Sequence, residues 1–333
     1  MVKVSPYQQD LRRAATLQPV TLRGNILITG ATGLIGGCLT DWLMQYSNCE
    51  VYALGRNSQR ARQRFKDYWE QPHFHFIEHD ICQPLPTATD FHYIIHAASN
   101  ASPNFFKQQP VEVMRANLEG LCHLVDYGWH HQLQRMVYVS SGEVYGEGDG
   151  SIFSETSSGY IDILSPRACY PSSKRAAETL CAAYNQEYDT DIVIARPCHT
   201  YGPYFTESDQ RVYAQFIRNV LKGEDIVMKS EGLQYRSWIY VVDCAAAILL
   251  LLEKGTRGEA YNVANSESNI TIRQLAETTA ALARRRVIMD ITDEGNTTPI
   301  TKAVFSTKKL EQLDWQPIFT IEEGLSHTIE TMR

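Results

Sequence analysis

The sequence lacks a long hydrophobic run and an excess of positive charge. Its longest apolar run, Ala245 to Leu252, is far shorter than the ~18 residues that a membrane-spanning helix needs. The 31 lysines and arginines are outnumbered by 38 aspartates and glutamates, which gives a formal net charge of −7. Because nucleic acids bind surfaces rich in positive charge, we expect no nucleic-acid partner and no membrane span. A phosphate-bearing ligand would depend on local arginines.

The cysteines and histidines also lack a disulfide or metal-binding pattern. The eight cysteines are scattered without a C-x-x-C pair, which is typical of a reducing compartment. The first twenty residues contain no apolar stretch followed by a cleavage site, so we expect a cytoplasmic protein. His73, His75 and His79 alternate along one run, and we interpret them as exposed strand positions. The sequence therefore predicts no metal site.

Short apolar runs alternate with helical patterns through the first two hundred residues. The runs are NILITG, CEVYAL, FHFIEHD, YIIHAA, MVYVSS and DIVIARP, and such near-continuous hydrophobicity is typical of strands buried on both faces. The alternation predicts an α/β fold: a Rossmann-type, doubly wound parallel sheet with a smaller C-terminal α/β substrate domain.

The same patterns give a division of the chain. We assign residues 24–196 and 235–264 to the dinucleotide-binding domain, and 197–234 and 265–333 to the substrate domain. Residues 1–23 form an N-terminal extension with a short helix from Tyr7 to Leu17. For this extension, a surface-packed segment and a role in a dimer contact or in closing the site both remain open.

The first apolar run ends in a glycine-rich turn. Gly30, Gly33 and Gly36 follow the spacing G-x-x-G-x-x-G between a strand pattern and a helical pattern. Glycines there let the backbone approach a pyrophosphate, which the amino end of the next helix attracts. We therefore predict a dinucleotide site that contains Gly30, Thr32, Gly33, Leu34, Ile35 and Gly36 and, after later strands, Asp80, Ala97 and Ala98.

The second apolar run ends at Gly55-Arg56 instead of an acidic residue. A carboxylate there would hold the ribose hydroxyls of NAD, whereas a guanidinium suits the 2′-phosphate of NADP. Arg60 and Arg62 follow closely, and a solvated basic start of a helix explains these arginines equally well. Arg56 is thus a candidate cofactor contact, and NAD and NADP both remain open.

Three residues in a fixed order form the strongest chemical pattern. Ser141 follows a strand pattern, and Tyr170 and Lys174 lie four residues apart at the start of a helical pattern. That spacing places both on one helix face, where the ammonium lowers the pKa of the phenol from its ordinary ~10. The tyrosine then removes a hydroxyl proton while hydride leaves the same carbon, and Ser141 holds that hydroxyl.

With these motifs the chain resembles the extended short-chain dehydrogenase/reductases, specifically the NAD-dependent epimerase/dehydratase family that acts on nucleotide sugars. The resemblance is carried by TGATGLIG, HAAS, NLEG, SSGEVYG, YPSSK, ARPCHTYGP and QYRSWIYVVD. It implies that Tyr170 and Lys174 oxidise the sugar C4 hydroxyl while the nicotinamide stays bound, and that the 4-keto sugar then reacts further. It also extends the cofactor site to Ile81, Ser99, Asn117, Tyr170, Lys174, Pro197 and His199.

The residues after Ser141 bear on the fate of the keto sugar. The family's 4,6-dehydratases carry an acid at the position of Gly142, whereas Glu143 is similar to both dehydratases and UDP-glucuronate decarboxylases. Around Arg211 and Arg236 the sequence most resembles the decarboxylases, in which two arginines grip the nucleotide diphosphate. The resemblance implies a UDP-glucuronate decarboxylase-like reaction, with an NDP-sugar 4-epimerase or a 4,6-dehydratase as alternatives.

Two positions depart from the decarboxylase pattern. His199 stands where the family carries asparagine, and Lys302 stands where decarboxylases carry an arginine. A lysine offers positive charge without the two-point grip of a guanidinium. His199, Arg211 and Arg236 together form the expected substrate site.

Other functions and an assembly remain open. An NADP-dependent carbonyl reductase would fit Arg56 but would not need Arg211 and Arg236, and a cofactor-sensing protein would not need the catalytic set. In this family, helices matching 111–129 and 171–188 build a homodimer contact, which we also expect here. The residues Leu118, Leu121, Leu124 and Val125 fit either that contact or the core.

Overall fold

The computed structural model describes residues 4–291 and 302–333. The helices are α1 (Pro6–Leu17), α2 (Leu34–Tyr46), α3 (Ser58–Arg64), α4 (Pro103–Gln108), α5 (Pro110–His130), α6 (Cys169–Glu187), α7 (Val212–Leu221), α8 (Val241–Lys254), α9 (Ile272–Leu282), α10 (Lys308–Glu311) and α11 (Ile321–Met332). Two 3-10 helices span Gly142–Tyr145 and Pro166–Ala168. Within the described residues, no helix combines the length and the apolar character that crossing a membrane requires.

The strands build one large sheet and two small ones. They are β1 (Arg23–Thr29), β2 (Asn48–Gly55), β3 (Phe74–Glu78), β4 (Tyr93–His96), β5 (Arg135–Val139), β6 (Ile192–Pro197), β7 (His199–Tyr201), β8 (Ile226–Met228), β9 (Tyr235–Tyr240), β10 (Ala260–Val263), β11 (Asn269–Thr271), β12 (Val287–Met289) and β13 (Lys302–Ala303). The large sheet has the order β10-β6-β5-β4-β1-β2-β3 and is parallel throughout.

Helices cover both faces of the large sheet. On one face, Ile26 and Ile28 of β1 share a core with α2 and α8; on the other, Leu27 packs with Leu121 and Leu124 of α5. This explains why β1 reads as a continuous apolar run, since alternate residues enter two different cores. The chain leaves β1 toward β3 and then crosses to β4, so a crevice opens at the carboxyl ends of β1 and β4. The predicted doubly wound Rossmann-type sheet is confirmed.

The smaller sheets lie in the C-terminal part of the chain. Strand β9 pairs with β11 in antiparallel fashion and with β7 and β13 in parallel fashion, while β8 pairs with β12. Strand β9 therefore lies in a small sheet, although the sequence division assigned 235–264 to the dinucleotide-binding domain. From the same segment, β10 completes the edge of the large sheet beside β6. The domain boundaries stay a prediction.

The N-terminal helix is part of the main core. Helix α1 begins one residue before the expected Tyr7, with Ser5 accepting from the backbone N–H of Gln8 as its cap. Leu11 is fully buried against the main core. The hydroxyl of Tyr7 donates to Asp41 on α2 at 2.7 Å. The inner face of α1 is thus packed into the core, while a role of residues 1–23 in a dimer contact or in closing the site stays a prediction.

Candidate active site

The glycine turn allows three backbone segments to approach closely. Gly30 has a φ of 66°, and a Cβ there would lie 2.7 Å from the carbonyl oxygen of Ala97. A Cβ on Gly36 would collide with the carbonyl of Gly30. Helix α2 begins after Gly33, which has no side chain to cap it, so the first N–H groups are left for an anion. The turn fits the pyrophosphate of a dinucleotide.

One cleft at the carboxyl ends of the main-sheet strands brings most of the predicted cofactor residues together. Its opposite wall is formed by the segment before α7, which includes Asp209 and Arg211. Small side chains at Ala97 and Ala98 leave room beside the sheet for a flat ring. The predicted cofactor residues that line the cleft are Gly30, Thr32, Gly33, Leu34, Ile35, Gly36, Arg56, Asp80, Ile81, Ala97, Ala98 and Ser99.

The three arginines after β2 have different surroundings. Arg56 lines the cleft and donates to the side-chain oxygen of Asn100 at 3.5 Å. Arg60 also lines the cleft, and its guanidinium donates to the carbonyl oxygen of Thr32 at 2.9 Å. Arg62 instead lies over the ring of Trp69 at 4.6 Å. Two of these three arginines, Arg56 and Arg60, therefore line the cleft.

Tyr170 and Lys174 lie on one face at the start of α6. The Lys174 ammonium donates to the carbonyl oxygen of Val139 at 2.8 Å and lies 5.9 Å from the Tyr170 ring centroid. It also lies 4.6 Å from the ring of Tyr138, a cation–π contact in a buried setting. Tyr170 and Lys174 are both buried, so their positions are fixed before any ligand binds.

Burial shifts the pKa values of both groups. It raises the pKa of Tyr170 to about 12, and the negative charge of Glu143 acts in the same direction, while a hydrogen bond with Ser141 opposes both. Burial lowers the pKa of Lys174 to about 7. Tyr170 therefore holds its proton at neutral pH until a positive charge arrives beside it.

Asn117 and Pro197 support the site from behind. Asn117 is fully buried on α5, and its amide donates to the hydroxyl of Ser173 on α6 at 2.9 Å. Pro197 is buried at the end of β6. Neither belongs to the residues that line the cleft, so their expected direct contact with a cofactor stays a prediction.

The turn after β5 places Glu143 beside Ser141. The backbone N–H of Glu143 donates to the Ser141 hydroxyl at 3.1 Å, and Arg167 donates to the Glu143 carboxylate at 2.9 Å. A Cβ on Gly142 would lie 2.5 Å from the ring of Phe305. The position from which a dehydratase would present its acid is therefore filled by an aromatic ring.

Of the expected substrate residues, Arg211 lines the cleft, and His199 lies close enough to Arg211 and Arg236 to feel both charges. Arg211 makes a two-point contact with Asp209, at 3.0 Å from Nε to Oδ1 and 2.5 Å from Nη2 to Oδ2. Arg236 is buried, and burial lowers its pKa. His199 has an exposed side chain at the cleft, yet dense surrounding protein and the charges of Arg236 and Arg211 lower its pKa. Two guanidinium groups thus face one imidazole that stays neutral.

The two remaining sequence expectations concern Lys302 and the histidines. Lys302 pairs in register with Tyr235, next to Arg236, on the neighbouring strand. Within the described residues, no group of three or more acidic, histidine or cysteine side chains has a metal-binding arrangement. His75 contacts Glu50 at 3.0 Å.

Several cleft residues were not predicted from the sequence. Asp209 is the most consequential, because it pairs with Arg211. The others either end β2, lie on α4 and α5, follow β2, β3 or β4, or precede α7, so a search beyond each strand end would have found only part of them. The unpredicted lining residues are Leu54, Gly55, Arg60, His79, Cys82, Asn100, Ala101, Ser102, Phe105, Glu112, Ala116, Thr206, Ser208 and Asp209.

Comparison with known families agrees with this geometry. The model of the NAD-dependent epimerase/dehydratase family matches residues 26–264. The chain belongs to this family. UDP-glucuronic acid decarboxylase 6 of Arabidopsis thaliana is 33% identical over 333 residues, covering 99% of this chain and 94% of the relative. UDP-glucuronic acid decarboxylase 1 of Danio rerio is 31% identical, covering 92% of this chain and 72% of the relative.

Solved structures support the fold. UDP-glucose 4-epimerase of Thermotoga maritima, solved with UDP-glucose, has a TM-score of 0.78 at 23% identity and covers 92% of this chain and 98% of its own. A dTDP-glucose 4,6-dehydratase of Bacillus anthracis, solved with NAD, has a TM-score of 0.78 at 23% identity, covering 92% and 96%. The family assignment confirms the expected enzyme class and its dependence on NAD.

Proposed function

We propose that this epimerase/dehydratase-family enzyme oxidises UDP-glucuronate at C4 and then decarboxylates it. The observation that carries the proposal is Glu143 beside Ser141 and Tyr170, with Gly142 closed off by Phe305. The decarboxylase relatives agree with this choice. A carboxylate is thus present next to the reacting sugar, while the acid that dehydration would need has no room.

The chain's own residues supply the proton chemistry. When bound along the glycine turn of Gly30, Gly33 and Gly36, NAD would supply the hydride chemistry at C4. Tyr170 takes the C4 hydroxyl proton, and Ser141 holds that hydroxyl in line. The resulting β-keto acid loses carbon dioxide, leaving the bond electrons on the sugar as an enolate, which needs one proton at C5.

We assign the delivery of the C5 proton to Glu143. Its side chain is 42% exposed, so it can take the proton from water and pass it to the enolate. Lys174 would assist Tyr170 through its positive charge and through the cofactor ribose. The glycine turn would hold the pyrophosphate through Gly30, Thr32, Gly33, Leu34, Ile35 and Gly36. The adenosine and nicotinamide parts would lie beside residues that follow later strands, namely Asp80, Ile81, Ala97, Ala98 and Ser99.

Arg211 and Arg236 would grip the nucleotide diphosphate, with His199 beside them. The two-point geometry that Arg211 shows toward Asp209 is the one a phosphate would receive. Asp209 therefore stands in for the ligand in this structure, and diphosphate binding requires Arg211 to exchange a carboxylate for phosphate oxygens. Lys302, beside Arg236 through its strand register, adds positive charge to this end of the molecule.

A panel of nucleotide sugars tests the reaction. The purified protein is incubated with UDP-glucuronate, UDP-glucose and dTDP-glucose, with and without added NAD, and products are measured by mass spectrometry and NMR. Loss of the mass of carbon dioxide from UDP-glucuronate is expected, and Glu143→Gln should slow it by about 10²-fold or more. Loss of water would identify a dehydratase, and an unchanged mass with an inverted C4 centre would identify a 4-epimerase. A reaction only with small carbonyl compounds would identify a reductase.

The cofactor preference follows from Arg56 and Arg60. Both guanidinium groups line the cleft after β2, where NAD-binding chains carry an acidic residue. We infer that the site accepts NADP as well as NAD. Calorimetric titration should show binding of both, and replacing both arginines by glutamine should weaken NADP by about 10-fold or more and NAD by less. Equal weakening of both cofactors would contradict this inference.

A homodimer is proposed through α5 and α6. Leu121, Leu124 and Val125 are fully buried in the core of the protomer, so they are not the contact residues that the sequence left open. Exposed instead are Val111, Met114 and Trp129 on α5 and Tyr188 directly after α6. Light scattering should give the mass of two chains, and Trp129→Glu should shift it toward the mass of one chain.

We also propose a cytoplasmic location, since all eight cysteines are free thiols.

A further inference from the structure

The ion pair between Arg167 and Glu143 is not explained by stability. Its guanidinium nitrogen lies 2.9 Å from the carboxylate oxygen, while the two side chains are 48% and 42% exposed. Exposed pairs contribute only about 0–1 kcal/mol to folding. Within residues 4–291 and 302–333, Arg167 is the ion-pair partner that Glu143 has. The pair therefore matters for where the carboxylate is held.

The guanidinium itself is held by an aromatic platform. Arg167 lies over the ring of Phe106 at 4.6 Å. Phe106 is buried and stacks on Tyr170 with centroids 4.8 Å apart and an interplanar angle of 23°. A flat guanidinium on a ring retains its in-plane N–H groups for a carboxylate. Tyr170, Phe106, Arg167 and Glu143 thus form one continuous series of contacts.

The pair joins the two segments that carry the proton chemistry. Glu143 lies in the 3-10 helix that follows Ser141, and Arg167 lies in the 3-10 helix directly before α6, which carries Tyr170. Movement of either segment would change the distance between the carboxyl group and the phenol. We propose that Arg167 is a positioning residue that holds the Glu143 carboxylate beside the sugar for the proton transfer to C5, an inference that rests on the proposed decarboxylation.

Charges around Tyr170 make the loss of Arg167 visible in a pH profile. Glu143 raises the pKa of Tyr170, whereas the charges of Arg167 and Arg211 lower it. Lys174 lies 5.9 Å from the same ring, and the buried Tyr138 lies beneath that ammonium. Without Arg167, the carboxylate acts on the phenol unopposed from that side. In the pH profile of the oxidation rate, the rise that reports the ionisation of Tyr170 should therefore move to higher pH.

The test compares the two halves of the reaction. Arg167→Gln, Arg167→Lys and Phe106→Leu are each assayed with UDP-glucuronate by the absorbance of reduced nicotinamide and by carbon dioxide release. Arg167→Gln should lower the steady-state kcat for carbon dioxide release by about 10- to 100-fold with KM changed far less, because a misplaced proton donor slows the protonation of the enolate at C5, which must be completed before the next turnover, without weakening binding. Oxidation at C4 is then faster than the slowed protonation and the re-reduction that follows it, so reduced nicotinamide should accumulate. Arg167→Lys and Phe106→Leu should show smaller losses, and added guanidinium should partly restore an Arg167→Ala variant.

Controls separate positioning from folding and from a wrong reaction. Arg286→Gln removes an arginine from the exposed Arg286–Asp225 pair elsewhere and should change nothing. An unchanged kcat and pH profile in Arg167→Gln would overturn the inference, as would equal loss of both half-reactions together with a lower melting temperature. If the wild-type protein releases no carbon dioxide from UDP-glucuronate, both the proposed function and the inference about Arg167 are wrong. If the wild type and Arg167→Gln release carbon dioxide equally fast, only the inference about Arg167 is wrong.

Discussion

The two walls of the cleft are built in different ways. The cofactor wall consists of backbone and small side chains at the ends of parallel strands, such as Gly30 and Ala97, and its geometry is fixed by close contact. The opposite wall, where we propose that the substrate binds and which we call the substrate wall, includes a charged side chain that already has a protein partner, since Arg211 pairs with Asp209. The first wall is ready for its ligand, whereas the second must exchange partners when its ligand binds.

The largest expected effect lies at the junction of the two walls. Tyr170→Phe removes the hydroxyl that we propose takes the C4 proton, so kcat should fall by about 10³-fold with the fold intact. Tyr160→Phe, at an exposed position in the segment before α6, is the matched control. Turnover of Tyr170→Phe within tenfold of wild type would show that another group moves this proton.

A second prediction tests the rigidity of the cofactor wall. Gly30→Ala combines an unfavourable φ of 66° with a Cβ only 2.7 Å from the Ala97 carbonyl. NAD affinity should fall by about 10-fold or more, because the turn must open to relieve the contact. Gly150→Ala has a φ of 89° but an open surrounding, so it shares the strain without the collision. Equal NAD binding by the two variants in a calorimetric titration would contradict a wall fixed by close contact.

A third prediction tests the exchange of partners on the substrate wall. Asp209→Asn removes the negative charge that competes with a diphosphate for Arg211. UDP should then bind about 2- to 5-fold more tightly at low salt, as expected for an electrostatic competitor. Asp225→Asn, which removes the acidic partner of an exposed arginine, should leave UDP binding unchanged. Weaker UDP binding by Asp209→Asn would mean that Asp209 orients Arg211 more than it competes.

The smallest effect concerns the pH dependence of stability. Burial lowers the pKa of Lys174 to about 7 from its ordinary 10.5, so between these values the unfolded chain binds the proton that the folded chain has lost. Stability should therefore rise with pH across this window. Melting curves of wild type and Lys174→Met over that range should differ in slope, with the flatter dependence in the variant. Parallel curves would contradict the lowered pKa.

The two walls also differ in how far the sequence predicts them. The glycine turn, Asp80 and Ala97 follow strand patterns, and parallel strands bring their carboxyl ends to one edge, so the cofactor wall could be predicted in detail. Asp209 and Phe305 could not, because each acts through a neighbour that the chain places by tertiary packing. Phe305 reaches Gly142 from the segment after β13, more than 150 residues away in the sequence. Neither hydrophobic periodicity nor a local sequence motif predicts a contact between residues so far apart in the chain.

The helices show the same contrast. The pattern from Tyr7 to Leu17 predicts α1 to within one residue. Its burial was not predicted, because it depends on α2, α8 and α11, which meet it only in the folded chain. The leucines of α5 have a helical period that fits two environments, and only the packing of the large sheet assigns Leu121 and Leu124 to the core.

The interleaving of the sheets has a consequence for how the chain is made. Strand β10 closes the large sheet beside β6, although a small-sheet strand, β9, comes between them in the sequence. A nascent chain that has emerged only as far as β6 would present an open strand edge, which is prone to pair with other chains. The large sheet can therefore be complete only after Ala260–Val263 has left the ribosome. A chain truncated between β6 and β10 is expected to aggregate rather than fold into a smaller stable protein.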